Sequence, residues 1–286
     1  MADLIFSTDS TCDLSKELIE KYNVKIVPLM VILGKNEYID GVDIVPEDIY
    51  KHVKETGELP KTAAPSIETF KEHFKKYTKN DTTVIHVSIS TELSACYQNA
   101  KIAAQGMKNV HIIDSGALST GIALLLLKAH DLIQEGKSVK EAIAYIEEIK
   151  QKVNTSFAID TLDYLHKGGR CSGLALFGAN ILRIHPMLLM QNGKLKQFKK
   201  FKGNMRLVFD NYVDHLAEIF ADYDNERVFI TYTHNTDREI IDMVKTKVKQ
   251  KFKFKEILES TAGSTITSHC GKGTLGVLFI TGNNIV

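Results

Sequence analysis

The chain has 286 residues, with 36 Lys and Arg against 35 Asp and Glu, a net charge of +1 that excludes the broad basic field of a general nucleic-acid binder. Hydrophobic residues at 44% and charged residues at 25% exclude a disordered tail or a fibre, and the length fits one large or two medium domains. Cys12, Cys96, Cys171 and Cys270 stand singly with no CxxC pair, so neither a zinc ribbon nor a dithiol redox site is written here, and the thiols read as the reduced cysteines of a cytoplasmic protein.

In chain order, Leu4 to Phe6 is a short apolar run leading through Ser-Thr-Asp-Ser-Thr into the helix former Lys16 to Lys21, half of a βαβ unit. No basic segment followed by an apolar one precedes it, so no secretory signal is expected. The pattern predicts strands at Val24 to Val27, Thr83 to Val87 and Val110 to Ile113. Helices are predicted at Ser66 to Lys79, capped by Ser66, and at Leu93 to Gln105, Ala117 to Gln134 and Val139 to Val153. The uncharged stretch Gly116 to Leu127 falls short of the roughly 20 residues of a membrane span and reads as a buried helix. Strands alternating with helices predict a mostly parallel sheet with helices on both faces, residues 1–155.

Beyond that the grammar changes. Pro186 to Gln191 and Lys194 to Phe201 flank Asn192-Gly193, the strongest two-residue hairpin signal, so antiparallel pairing is expected. Helices follow at Val208 to Tyr223 and Arg238 to Val248, with strands at Val228 to Tyr232, Phe252 to Glu259 and Val277 to Ile280. The expectation is an α/β fold whose second domain, residues 156–286, is α+β and packs tightly on the first.

Three motifs bear on nucleotide or acid chemistry. Gly271 to Gly276 matches GxGxxG, but Val277 to Ile280 makes a strand follow it where a dinucleotide site needs a helix. Gly116 and Gly121 have Walker A spacing, yet Ile122-Ala123 replace the Lys and Ser/Thr that meet phosphate and metal. Asp9 and Asp13 are read as turn and cap residues. Hydroxyl-rich segments are more telling. Ser7 to Thr11, Ser88 to Ser94 and Asp114-Ser115 all follow predicted strands, and ligands in open α/β sheets bind at the carboxyl ends of strands. A basic strip, Lys194 to Arg206, suits a solvated face, an acidic partner or a membrane surface.

Taken together, Thr8 to Leu14, Thr62 to Ser66, Ser94 with Tyr97-Gln98, Asp114-Ser115, Gly168 to Ser172 and His269 to Gly273 resemble the DegV family in order and across nearly the full chain. That family includes the acyl-binding subunit of bacterial fatty acid kinase, a system of phospholipid metabolism. Departures are Ala63 and Ala64, Ala95-Cys96, His185 before Pro186, and Lys272. The resemblance implies a long-chain fatty acid such as palmitate, stearate or oleate lying between the domains. It implies a carboxylate held by Thr62, Ser94 and His269, with Ser90, Thr91 and Ser115 in support and no cofactor or metal. The apolar walls expected for the chain are Leu124 to Leu127, Phe157, Leu174 to Phe177 and Ile181 to Met190. By the same resemblance the chain is no enzyme. It presents the carboxylate to a separate ATP-binding kinase subunit, with Arg170 and the basic hairpin around Lys202 as the contact, together with a transient contact with a membrane surface. Two other readings stand beside this one: a hydrolase or acyl-transfer enzyme with Ser94 or Ser115 as nucleophile and His269 as base, and a lipid sensor.

Overall fold

The computed structural model describes residues 4–170 and 184–285. Its first sheet has four strands, β1 (Leu4–Asp9), β2 (Lys25–Val27), β6 (Thr83–Ser88) and β7 (Val110–Asp114), all parallel in the order β2-β1-β6-β7. The intervening helices are α1 (Lys16–Lys21), α3 (Ile67–Tyr77), α4 (Cys96–Ala103) and α5 (Thr120–Gln134). Ser66 caps α3 as expected, its hydroxyl accepting from Thr69 N at 3.1 Å.

Between β2 and α3 the chain makes an excursion that periodicity did not predict. Here β3 (Met30–Leu33), β4 (Asn36–Ile39) and β5 (Lys61–Ala63) form a small antiparallel sheet in the order β4-β3-β5, with α2 (Pro46–Thr56) inserted before the last strand. These strands are three or four residues long, too short for a period-two pattern to declare itself. Thr62 sits on β5 and pairs with Val31.

After α6 (Val139–Ile149) the chain enters a second sheet with β8 (Val153–Asn154) and β9 (Ser156–Ala158), and then forms the short α7 (Asp163–Lys167). The sheet continues with β10 (Ile184–Gln191), β11 (Lys194–Lys202), β12 (Arg227–Tyr232), β13 (Glu256–Thr261) and β14 (Leu275–Ile280), in the order β11-β10-β9-β14-β12-β13, with β8 also on β14. The Asn192-Gly193 hairpin forms with both residues at positive φ, 51° and 76°. Among the described strands of this sheet only β12 and β13 pair in parallel, and α8 (Met205–Ile219) and α9 (Arg238–Lys251) pack on this half. The predicted strand from Phe252 is shifted: Phe252 ends α9 and packs against Phe254 and Phe279, and pairing starts at Glu256.

One core spans the two halves. Helix α5 contacts β6 of the first sheet and β8, β12 and β14 of the second, which explains why Thr120 to Leu127 are buried without a polar face. Helix α10 (Ser264–Cys270) comes from the C-terminal half yet contacts α2, β3 and β5 of the N-terminal half. Its sequence, Ser-Thr-Ile-Thr-Ser-His-Cys, is poor in helix formers, so packing rather than propensity holds it, and Gly271 at φ 67° ends it.

Candidate functional site

The segments that follow β1, β6 and β7 meet α10 around a cavity whose empty space, open mouth included, is about 540 Å³. From the N-terminal half come Thr11, Leu29, Thr62, Ala64, Ile89 and Ser94, with Leu93 and Leu118. From the C-terminal half come Leu165, Arg170, Leu195, Ile266, His269 and Cys270, with Thr265. The loops are tied by Asp9, which is wholly buried. It accepts from Thr11 N at 3.3 Å, Ser88 Oγ at 2.8 Å and Ile89 N at 2.9 Å, and also from Thr11 Oγ1. Asp9 is thus the cap the sequence suggested, and it also fastens the end of β1 to the end of β6. Burial raises its pKa against these four bonds.

At the polar end, Thr62 Oγ1 lies 2.8 Å from His269 Nε2. His269 Nδ1 is buried and has no hydrogen-bond partner among the described residues. Burial, and secondarily the positive charge of Arg170, pull the imidazole down to about 4, so it is neutral near pH 7. A buried N–H without an acceptor costs more than an unused lone pair, so the proton is assigned to Nε2, which donates to Thr62. The threonine O–H is then free to donate into the cavity. Ser94 lines the same cavity, and its Oγ accepts from Cys96 N at 3.3 Å. Neither Ser94 nor Ser115 has His269 as a hydrogen-bond partner, so the serine–base pair of the hydrolase reading is not assembled.

The three supporting hydroxyls lie apart from the cavity walls. Ser90 donates to Gly193 O at 2.7 Å and ties its loop to the hairpin turn. Thr91 is exposed, with its backbone N–H on Asp114 Oδ1 at 3.3 Å. Ser115 accepts from Ala117 N at 3.0 Å and shapes its own turn. Arg170 does line the cavity. Its Nη1 donates to Gly168 O at 2.6 Å and its Nε to Leu93 O at 3.3 Å, and its other side faces a groove shared with Glu92 and Lys194. Lys202 is not brought to it. Lys194 lies at the turn end of β11 and Lys202 at the other, eight residues or about 26 Å away at 3.3 Å per residue.

A second cavity, with about 340 Å³ of empty space including its open mouth, shares Leu118, Ile266 and Cys270 with the first and is otherwise walled by residues such as Phe157, Tyr232 and Leu278. Of the expected apolar walls, Phe157 lines this cavity, whereas Leu124 to Leu127 lie in the core along α5 and line neither cavity. Leu174 to Phe177 and Ile181 to Arg183 lie outside the described residues. Leu118, Ile266 and Cys270 were missed by sequence reasoning, which held no signal for a helix at 264–270. Among the described residues no group of three His, Cys, Asp or Glu is placed to hold a metal ion, and no helix is long and apolar enough to cross a membrane.

A mostly apolar cavity between two halves of an α/β protein, with Thr62 and His269 at its polar end, has the form of a small-molecule site. Residues 6–282 match the family described as "Uncharacterised protein, DegV family", and the chain belongs to that family. It is 30% identical over 277 residues to the fatty acid-binding protein of Thermotoga maritima, covering 94% of each chain. It superimposes with a TM-score of 0.86 and 27% identity on a fatty-acid-binding DegV family protein from Thermus thermophilus, covering 98% of this chain and 99% of that one. A stearic acid-binding protein from Eubacterium ventriosum superimposes with a TM-score of 0.84 and 26% identity, covering 98% of both.

Proposed function

We propose that this chain binds a long-chain fatty acid between its two halves, with Thr62, Ser94 and His269 at the carboxylate and the acyl chain along the apolar walls. The observation that carries the reading is the Thr62–His269 pair, the polar end of a cavity whose other walls are largely apolar. The magnitudes divide the labour. About 15 methylenes at roughly 0.8 kcal/mol each give about 12 kcal/mol gross, against about 1.5–3 kcal/mol for a hydrogen bond to a charged group. Apolar walls therefore set affinity and the hydroxyls set orientation. A neutral imidazole contributes no full charge, so the carboxylate is held by donors such as the Thr62 hydroxyl.

The finer reading is that the bound acid is presented to a separate ATP-binding kinase subunit in the cytoplasm. What supports it is the position of Arg170, between the cavity and the groove that holds Lys194 and Glu92, where a planar guanidinium suits a carboxylate or phosphate of a partner. Lys194 takes the place of Lys202 in this contact, and Ser90 supports it by holding the turn at Gly193.

Native mass spectrometry of the purified chain tests the binding. A retained mass of a long-chain fatty acid, lost when Thr62→Ala and Ser94→Ala are combined, supports it. Protein that takes up no oleate, or that turns over esters, overturns it. For the hand-over, Arg170→Ala with a cognate kinase subunit and ATP should lose acyl-phosphate formation while oleate is still bound. Undiminished acyl-phosphate removes Arg170 from the contact.

A further inference from the structure

One buried carboxyl group joins the two segments that wall both cavities. Asp13 accepts from Ser119 Oγ at 2.5 Å through Oδ2 and from Gly263 N at 2.8 Å through Oδ1. Ser119 follows Leu118 and stands at the head of α5, and Gly263 stands at the head of α10, which carries Ile266 and Cys270. Leu118, Ile266 and Cys270 are the residues common to the two cavities.

Both segments need holding. Ser119 has φ 53° and ψ −143°, a conformation that glycine takes freely and that other residues keep only where surrounding contacts enforce it. Helix α10 is short and poor in helix formers, and its start is gripped a second time where Asp40 Oδ1 accepts from Ser264 N at 3.0 Å. Asp40 is in turn held by Ser10, whose Oγ donates to Oδ2 at 2.7 Å from the same turn that carries Asp13. At a rise of 1.5 Å per residue, Ile266 and Cys270 lie about 5 and 10 Å from Gly263, close enough to move with it.

We propose that Asp13 is a positioning residue for the ligand: by holding Ser119 and Gly263 it sets the separation of Leu118 from Ile266 and Cys270, and so how far an acyl chain passes from the first cavity into the second. This inference rests on the fatty-acid reading above. Its consequence is selection by length, since a short chain ends within the first cavity and a long one must cross the shared wall.

The test uses the full chain, freed of lipid and equilibrated with equal concentrations of decanoate and oleate, the bound acids being counted by native mass spectrometry. Asp13→Ala should shift the oleate-to-decanoate ratio by about tenfold, a change of about 1.4 kcal/mol. Asp13→Asn retains an acceptor oxygen and should restore the ratio to within about twofold of the parent. Ser119→Gly removes the hydroxyl from a backbone that glycine adopts freely, so it should fold and shift the ratio in the same direction even where Asp13→Ala does not fold. An unchanged ratio in Asp13→Ala and Ser119→Gly that still bind oleate overturns the role of Asp13 alone. Parent protein that takes up neither acid overturns the fatty-acid reading and this inference with it.

Discussion

Gly168 lies against the imidazole of His269: a Cβ built at position 168 sits 2.5 Å from Nδ1 and 2.9 Å from Tyr164 O. With φ at −72° the backbone there does not require glycine, so space alone does. Gly168→Ala must displace either the ring or the end of α7, and a shift of the ring disturbs its 2.8 Å hydrogen bond with Thr62. We expect about a tenfold loss of retained fatty acid with a stability cost of about 1–3 kcal/mol, read by native mass spectrometry and thermal unfolding. Full retention would show that the ring's place does not matter to the ligand.

The Asp13 carboxyl is pushed up to about 8 by burial, with Asp40 and Asp9 adding repulsion and the bonds from Ser119 and Gly263 opposing. It is therefore mostly protonated at neutral pH. A folded-state value above the unfolded one stabilises fully below about pH 3.8 and is lost as pH rises through about 8. Thermal unfolding from pH 6 to 9 should show the parent losing stability and Asp13→Asn losing less. Parallel curves would mean that Asp13 is already ionised at pH 6.

Ser7 Oγ sits between two imidazoles, 2.8 Å from His73 Nε2 and 2.9 Å from His86 Nδ1. Burial draws His73 down to about 4 and His86 to about 3. Both are neutral in the fold while the unfolded chain takes up protons near 6.5. Their contribution is whole above about pH 6.5 and is lost as pH falls toward 4, at up to about 1.4 kcal/mol per pH unit for each group. His73→Gln, which keeps a partner for Ser7 without titrating, should flatten the fall in urea midpoint between pH 7.5 and 5. A slope equal to the parent's would exclude His73 as its source.

Tyr212 is wholly buried, its hydroxyl 2.9 Å from Ser156 Oγ, 2.8 Å from Ser156 O and 3.1 Å from Val277 N. Tyr212→Phe leaves the Val277 N–H without this acceptor inside the buried core, and we expect a loss of about 1–3 kcal/mol with lipid binding unchanged. Calorimetric unfolding checks it, and a melting temperature within error of the parent's would mean that these groups find other partners.

The legible parts of the fold are those whose signals are local. The Asn192-Gly193 turn demands positive φ at two positions, and Ser66 supplies the acceptor that the first turn of α3 lacks, so a hairpin and a helix start are written in two or three residues each. The alternation of β1 and β6 with α3, α5 and α6 is likewise legible, because each of these elements repeats its period about three times or more. By contrast, β3, β4 and β5 end before a period is established, and α10 has the composition of a loop.

For the candidate site, the chain itself determined which residues bear chemistry: hydroxyls after strands, a histidine beside a glycine turn and an arginine after two glycines. Tertiary structure decided which of them meet. Thr62 and His269 are 207 residues apart and touch because α10 is inserted into the N-terminal half, whereas Ser90 donates to Gly193 O of the hairpin turn, Thr91 places its backbone N–H on Asp114 Oδ1 and Ser115 accepts from Ala117 N. Asp13 illustrates the limit most plainly. In sequence it is an acid in a turn, and only burial against Ser119 and Gly263, 106 and 250 residues away, makes it a neutral carboxyl joining two walls of one cavity. Local propensity acts over a few residues, while burial and hydrogen bonding depend on where distant segments are packed, and that is settled only by the whole core.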